Sequence, residues 1–318
     1  MRLFDKSEQN NDANTALSKR IRRNLLWLSL LAIVWFICSA GASAETLRER
    51  QQAFPNWQSK PPVQLSDGDL FYPKWMEGTW RMNSTLVDMV APFAPDLVTP
   101  GFEGNRQFLD KPIPAFIRFV PKVFPKGSFL NQPIPKKLED ADADEIKVVS
   151  DRAFNGLNLA KAYLGDEWVK AVKVDPNDPN RQVTFLKDNQ QLVSTVTGRT
   201  VETPNNGMFA TTEVFQQFFR NPKSVNSESL NNRSVDNNSA RQQGTRREAT
   251  VYLNEVENTT IYRKRSDPNF PLEGDQITAI YLSPQDPNYF KAKDKPVALY
   301  RYHLSFSPVR PETLEKQT

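Results

Sequence analysis

The sequence predicts a mainly β protein, built as an antiparallel closed barrel with one short helix and long proline-rich loops. Apolar and polar residues alternate with a period of two over many short segments, which is typical of strands with one buried face. Turn-forming sequences such as 175–180 separate consecutive segments, which favours antiparallel neighbours. Because open sheet edges aggregate, we expect such a series of strands to close its sheet.

The first strand of the series is predicted from Met76 onward. One of its faces carries Met76, Gly78, Trp80, Met82, Ser84 and Leu86. Polar residues dominate the alternate positions, so we expect this strand to be buried on one face only. Further strands are predicted over 169–174, 181–186, 190–197, 209–219, 249–256, 259–265, 276–282 and 296–306. The apolar face of the last strand carries Ala298, Tyr300, Tyr302, Leu304 and Phe306.

One helix is predicted among these strands. Asp151 is a residue type that caps helix N-termini, and Gly165 is a type that ends helices. The apolar residues between them follow helical spacing: Phe154, Leu157, Ala160, Tyr163 and Leu164. Such a stripe is typical of a packing face, so we expect the helix to lie against the sheet.

The remaining segments divide the chain into a leader, one domain and its loops. Of the 24 prolines, 13 lie between Pro55 and Pro135. Because proline removes a backbone donor, we expect an extended surface excursion over about 92–144. Residues 45–70 are predicted to be extended, 71–308 to form a single barrel domain, and 309–318 to be a polar tail. The polar stretch over about 221–247 has few apolar side chains and is predicted to be a flexible loop.

The N-terminus has the order of a secretory signal peptide. An uncharged apolar run over 25–38 follows four basic residues, Lys19, Arg20, Arg22 and Arg23. Ala42 and Ala44 then form the small-x-small pattern of a cleavage site. The run is shorter than the roughly 20 residues that span a bilayer as a helix. We therefore expect residues 1–44 to be removed and the rest to reach a periplasm or a thylakoid lumen.

Two alternatives for the leader stay open. An uncleaved run would tether the protein to the membrane, and the Arg22–Arg23 pair also resembles a twin-arginine signal.

The leader holds six basic and three acidic residues, so 35 of the 41 basic and 34 of the 37 acidic residues lie beyond it. This near-neutral remainder lacks a clustered basic face, and we expect no nucleic-acid partner.

Reactive side chains are scarce. The only cysteine, Cys38, lies in the leader, and the only histidine is His303. Beyond the leader the chain can form no disulfide, no thiolate metal site and no multi-histidine zinc site. It contains no phosphate-binding glycine-rich loop and no G-x-S-x-G sequence. The sequence therefore predicts a protein that is not an enzyme and has no metal site.

A short motif at the first predicted strand carries a resemblance. Gly78 and Trp80 in the segment Glu77–Trp80 resemble the G-x-W opening of calycins, the lipocalins, fatty-acid-binding proteins and nitrobindins. The resemblance implies that Gly78 lets the strand bend and that Trp80 plugs one end of the barrel. It also implies that a basic residue near the last strand packs across this tryptophan, and Arg301 is the candidate. The long loops depart from the lipocalin pattern, and the lipocalin disulfides cannot form.

Two longer segments carry a more specific resemblance. The segments 72–80 and 99–104 are similar to a family of uncharacterised secreted or lumenal proteins of cyanobacteria and plastids. The resemblance covers most of the chain beyond the leader. It implies a photosynthetic cell but no assigned activity.

The aromatic strand faces predict a cavity for an apolar ligand such as a lipid, a pigment or a tetrapyrrole. The same residues would equally fill a closed core. The candidate ligand-binding residues, which we expect to face the inside of the barrel, are Trp80, Met82, Phe215, Tyr281, Tyr300 and Tyr302.

His303 raises the question of haem, because nitrobindin-like barrels hold haem by one histidine. Alternation places His303 on the face opposite Tyr302 and Leu304, away from an enclosed iron. We therefore expect no haem and no other cofactor. The same alternation turns Arg301 outward, which weakens its lipocalin-like role unless the strand carries a bulge.

Two other classes of function stay open beside ligand binding. The chain could act as an assembly or accessory factor for a membrane or photosynthetic complex, or, with less support, as an enzyme. The role as an assembly or accessory factor depends on exposed phenylalanines in the proline-rich stretch. These are Phe93, Phe102, Phe108, Phe116, Phe119, Phe124 and Phe129. The sequence leaves the oligomeric state open.

Overall fold

The computed structural model describes residues 45–124, 145–205, 207–220 and 252–309. The leader 1–44, Phe129, the polar loop 221–247 and the tail after Val309 lie outside these residues. The twelve strands of the described part are β1 (Gln64–Leu65), β2 (Phe71–Tyr72), β3 (Gly78–Val90), β4 (Pro112–Phe124), β5 (Glu145–Ser150), β6 (Val169–Asp175), β7 (Asp178–Leu186), β8 (Gln191–Asn205), β9 (Met208–Arg220), β10 (Tyr252–Lys264), β11 (Leu272–Leu282) and β12 (Ala298–Pro308). The helices are α1 (Leu47–Gln52), α2 (Arg152–Leu164) and α3 (Tyr289–Ala292), with short 3-10 turns at Lys74–Met76, Glu103–Phe108 and Lys187–Asn189.

All strands belong to one antiparallel sheet. Its order is β2-β5-β4-β3-β12-β11-β10-β9-β8-β7-β6, and β1 adds to β8. The mainly β character predicted from the sequence is therefore confirmed. The predicted closure of the barrel is wrong, because the sheet is a strongly curled, open half-barrel.

Helix α2 accounts for the open sheet. It follows β5 near one end of the sheet and precedes β6 at the other end, and it contacts β4 on one side and β6 and β7 on the other. The helix therefore occupies the space where a closed barrel would pair its edge strands. Asp151 caps it by accepting a hydrogen bond from the Phe154 amide, and Gly165 ends it at a φ of 92°. The predicted helix and both of its boundaries are thus confirmed.

Strand β4 corrects part of the prediction of an extended surface excursion over about 92–144, of which residues 125–144 lie outside the described residues. Three prolines, Pro112, Pro114 and Pro121, lie within this strand. β4 pairs with β3 only from Pro112 to Phe119, and with β5 only from Phe119 to Phe124. Each proline therefore lies where the strand has a partner on one side only, so its missing backbone donor leaves no gap in the sheet.

Two further boundaries differ from the sequence-based expectation. Separate strands were predicted over 249–256 and 259–265, but their described residues belong to one strand, β10, because its pairing with β9 and β11 runs without interruption through Glu257 and Asn258; residues 249–251 lie outside the described part. The segment 45–70, predicted to be extended, contains helix α1. This helix packs through Leu47 against Ala210 and Ile261 on the outer, convex face of the sheet.

The curled sheet buries apolar residues on both faces. The largest core cluster fills one end of the concave face and includes Trp80, Met82, Phe119, Phe209 and Phe306. On the convex face, the residues after α1 form a covering segment (residues 53–57). Trp57 in this segment packs against a second cluster, made by Ile277, Ala279, Tyr281 and Leu299.

None of the helices in the described part of the chain is long and apolar enough to span a membrane.

Candidate functional site

The concave face holds a first cavity of about 460 Å³ that is partly open to solvent. Strands β3, β4 and β9–β12 form its floor and helix α2 covers it. Most of its wall is aromatic or aliphatic, and none of the described side chains that line it carries a charge. They are Tyr72, Met82, Ser84, Ile117, Phe119, Ser150, Asn155, Leu159, Tyr163, Gln217, Val256, Asn258, Tyr262, Gln276, Thr278, Ile280, Tyr302, Leu304 and Phe306.

A second cavity of about 340 Å³ adjoins the first along helix α2. The two cavities share five lining residues, Ser150, Asn155, Leu159, Gln217 and Asn258. Five of the nine further residues that line the second cavity are polar or charged; the nine are Arg152, Gly156, Ala160, Asn180, Gln182, Thr184, Leu192, Ser194 and Phe215. Together the cavities form one groove, here called the concave groove, with an aromatic half and an amide-rich half.

Asn155 fixes helix α2 over this groove. Its side-chain oxygen accepts a hydrogen bond from the Arg118 amide at 2.7 Å. Its side-chain nitrogen donates to the Arg118 carbonyl at 3.0 Å and to the Ser150 hydroxyl at 2.8 Å. Asn155 thereby pairs with the backbone of β4 as another strand would. Because its amide is fully used, Asn155 anchors the helix and leaves recognition to its neighbours.

The tyrosines of the aromatic half stay neutral. Burial raises the pKa of the Tyr302 and Tyr262 hydroxyls above the usual range of tyrosine, and it does the same for Tyr72 and Tyr163. The Tyr163 hydroxyl also lies 2.9 Å from the Ser84 hydroxyl, across the cavity from helix α2 to β3. The aromatic half therefore offers hydroxyls and ring faces without ionised groups.

One ion-pair cluster borders the polar half. Arg152, at the start of α2, donates to Glu213 Oε1 at 2.8 Å, and Arg199 donates to the same oxygen at 2.8 Å. Burial by itself would raise the pKa of the Glu213 carboxyl, but the two guanidinium groups outweigh burial and hold that pKa below its usual range. Glu213 is therefore a carboxylate at neutral pH and ties helix α2 to β8 and β9.

The structure brings together three of the six residues predicted to face the inside of the barrel. Met82 and Tyr302 line the first cavity, and Phe215 lines the second. Trp80 lies in the core at the end of the concave face, where its indole nitrogen donates to the Met76 carbonyl at 2.8 Å. Tyr300 is also on the concave side, but it packs against Phe102 in a separate cluster.

Tyr281 lies on the convex face, which corrects its assignment to the interior. Gln276, Thr278 and Ile280 of the same strand face the first cavity, so alternation turns Tyr281 the other way. Its hydroxyl donates to Glu257 at 2.7 Å, beneath the covering segment. Ile277, Ala279 and Tyr281 of β11 are buried against that segment, so the period of two alone did not show which face of the strand points into the cavity.

Arg301 and His303 both lie on the convex face, as the alternation predicts. The Arg301 guanidinium lies over the Phe54 ring at 5.9 Å, so it does not pack across Trp80 as the lipocalin resemblance implies. An irregularity does occur in the β3–β12 pairing, but the extra residue is Val87 in β3, and it does not turn Arg301 inward. His303 is exposed, with Nδ1 3.4 Å from Asp275 Oδ1.

Sequence reasoning missed the polar residues of the groove. Gln217, Asn258, Gln276 and Thr278 lie in phase with apolar residues that face the same cavity. The alternation in the sequence places these polar residues on the same strand face as the apolar ones. On β10, for example, that face carries Val256, Asn258, Thr260 and Tyr262. Uncharged polar residues in phase with a buried apolar face therefore signalled a polar lining.

The phenylalanines of the proline-rich stretch are packed. Phe102 is buried against Tyr300, and Phe108 packs in the same cluster. Phe93 packs against a small cluster around Val297, and Phe119 belongs to the main core. Phe116 and Phe124 are half-buried in β4. The six phenylalanines that the structure describes therefore form no exposed aromatic surface.

The described residues contain no group of three or more histidine, cysteine, aspartate or glutamate side chains arranged to hold a metal ion. Fold and groove together define a class: an antiparallel β half-barrel whose concave face, covered by one helix, holds a partly open amphipathic cavity. The chain belongs to DUF6816, a domain family of unknown function, whose family model matches residues 64–310. Comparison with curated proteins gave no match, and comparison with solved structures gave none either.

Proposed function

We propose that this protein is a non-enzymatic binding protein that holds an apolar ligand, such as a lipid, a pigment or a tetrapyrrole, in the concave groove. The observation that carries the proposal is the first cavity of about 460 Å³, which lies within the size range of small-molecule sites. Leu304, Phe306 and Ile117 make much of its wall apolar, and Tyr302 and Tyr262 add ring faces with neutral hydroxyls.

We further propose that the groove is the open counterpart of a calycin cavity. Gly78 begins β3 at a φ of 130°, a backbone conformation that favours glycine, and Trp80 follows it in the core at the end of the concave face. Both features support the calycin resemblance. The outward Arg301 and the unpaired sheet edges are departures from that pattern.

Filling the groove should abolish ligand binding. Leu159 lies in the wall shared by both cavities, so Leu159→Trp places an indole where the ligand is proposed to lie. We expect the affinity for the uncharged fluorescent probe N-phenyl-naphthylamine to fall by at least about tenfold, because the ligand and the indole compete for the same volume. Probe titration measures the affinity, and thermal unfolding checks that the variant is folded.

Leu164→Trp is the matched control, because Leu164 ends the same helix and is 51% exposed. It receives the same new side chain outside the groove, and its probe affinity should equal that of the unaltered protein. Equal probe affinities in the unaltered protein, the folded Leu159→Trp variant and the control would contradict the proposed site.

We also propose that the chain is exported and cut between Ala44 and Glu45. The supporting observation is the order of basic region, apolar run and small-x-small pattern in residues 1–44. N-terminal sequencing of the protein from its natural source should begin Glu-Thr-Leu. Recovery of the intact Met1 terminus from a membrane fraction would instead establish an uncleaved anchor.

A further inference from the structure

A row of uncharged polar side chains crosses the floor of the polar half of the groove. Gln182 of β7 pairs in register with Ser194 of β8, Ser194 with Gln217 of β9, and Gln217 with Asn254 of β10. The first three line the second cavity, and Asn254 shares the concave face with Asn258 of its own strand. Four neighbouring strands therefore present an amide or a hydroxyl at the same level, here called the amide row.

The amide row has hydrogen-bonding capacity to spare. Within the described part of the chain, the side chains of Gln182 and Gln217 form no hydrogen bond, and the Asn254 Oδ1 atom is buried without a partner. A buried amide that lacks a partner costs stability, so buried polar groups in folded proteins nearly always have one. Nearby Asn155 and Asn180 do have partners, in β4 and in Arg199. Gln182 and Gln217 therefore present free amides to the second cavity, and Asn254 extends the row beyond the cavity wall; Thr211 Oγ1 is the other buried side-chain atom without a partner in the described part of the chain.

The type of these side chains restricts the ligand. Amides and hydroxyls both donate and accept, which matches ligand hydroxyls, whereas carboxylates and phosphates only accept and are typically met by arginine or lysine. Among the described residues, Arg152 is the one charged residue that lines the second cavity, and it donates to Glu213. Arg199 also donates to Glu213, so the cluster of Arg152, Arg199 and Glu213 has a net charge of one positive unit. An anionic headgroup is therefore the competing class of ligand, and the experiment must distinguish it from a neutral one.

We infer that the ligand is a neutral amphiphile with a hydroxyl-rich, sugar-like headgroup. The headgroup lies against the amide row in the second cavity, and the apolar chain extends between Leu159 and Val256 into the aromatic half. Phe215 gives the headgroup an apolar face beside the amides. This inference rests on the proposed function and adds the chemical class of the ligand.

Three amphiphiles with the same alkyl chain test the headgroup: decyl glucoside, decanoate and decylphosphocholine, each titrated calorimetrically below its micelle concentration into the protein beginning at Glu45. We expect decyl glucoside to bind at least about tenfold more tightly than the other two, because only its headgroup both donates to and accepts from the amide row. Equal or tighter binding of decanoate would overturn the inference in favour of an anionic ligand at Arg152. Equal binding of all three would show that the headgroup is not recognised.

Gln217→Leu locates the headgroup, and Gln216→Leu is its matched control on the opposite, exposed face of the same strand. We expect Gln217→Leu to weaken decyl glucoside about fivefold to tenfold, since it removes one or two hydrogen bonds to the sugar, and not to weaken N-phenyl-naphthylamine, because leucine keeps an apolar contact with a probe in the shared wall of the groove. An equal loss for both ligands, or no loss for the glucoside, would overturn the placement of the headgroup.

The outcomes separate this inference from the proposed function. If the unaltered protein binds the naphthylamine probe, loses it with Leu159→Trp and still shows no preference for the glucoside, only the headgroup assignment fails. If neither the probe nor any of the three amphiphiles binds, the proposed function itself fails.

Discussion

Arg50→Met is expected to destabilise the protein by about 3–5 kcal/mol, because it leaves a buried carboxylate without its cation. Glu257 is fully buried in β10, and Arg50 of helix α1 donates to both of its oxygens, at 2.7 and 2.8 Å. Tyr281 and Thr259 each donate to the same carboxylate at 2.7 Å. Chemical denaturation measures the effect as a fall in the free energy of unfolding.

Two further variants show whether the loss arises from the buried charge. Arg48→Met makes the same change at an exposed position of α1 and should cost less than about 0.5 kcal/mol. Arg50→Met combined with Glu257→Leu removes both charges and should recover much of the stability, since an apolar pair often replaces a buried ion pair at little cost. A double variant no more stable than Arg50→Met would contradict this account and assign the loss to packing around Trp57.

Trp80→Ala is expected to destabilise the protein by a similar amount, about 3–5 kcal/mol, through the cavity it leaves in the main core. Trp80 is 8% exposed and belongs to the cluster that contains Leu70, Met76 and Phe306. Its replacement also removes the donor to the Met76 carbonyl, which helps to hold the turn before β3. The denaturant midpoint should fall with an unchanged dependence on denaturant concentration.

Trp168→Ala is the control for this prediction. Trp168 is 45% exposed and stacks only loosely under Lys187, with 5.1 Å between the ammonium nitrogen and the ring centroid. Its loss should cost less than about 1 kcal/mol, because the site is already hydrated and leaves no enclosed space. Equal effects of the two tryptophan replacements would remove the main energetic support for Trp80 as the core residue of the G-x-W motif.

Local pattern predicted three side chains of the groove but not the position of the groove in the molecule. Met82, Tyr302 and Phe215 were identified because the period of two sets which side chains share a face. Gln217 and Asn258 carried the same signal, but they were not recognised because polar residues in a strand usually face solvent. Tyr281 was misplaced because the rule that the apolar face points inward assumes one buried face, and in β11 both faces are covered.

The sequence by itself determined those local features of this protein that depend on neighbouring residues alone. Helix α2 begins after Asp151 and ends before Gly165, and His303 points away from the cavity, because capping and alternation depend only on neighbouring residues. Only the tertiary structure decided that the barrel stays open, that β4 tolerates its prolines and that α1 covers the convex face. Each depends on which distant segments meet: α2 against both ends of the sheet, β4 between two partial partners, and Arg50 against Glu257 across 207 residues of chain. Such contacts leave no periodic trace in a single sequence, since they are selected by the free energy of the whole fold.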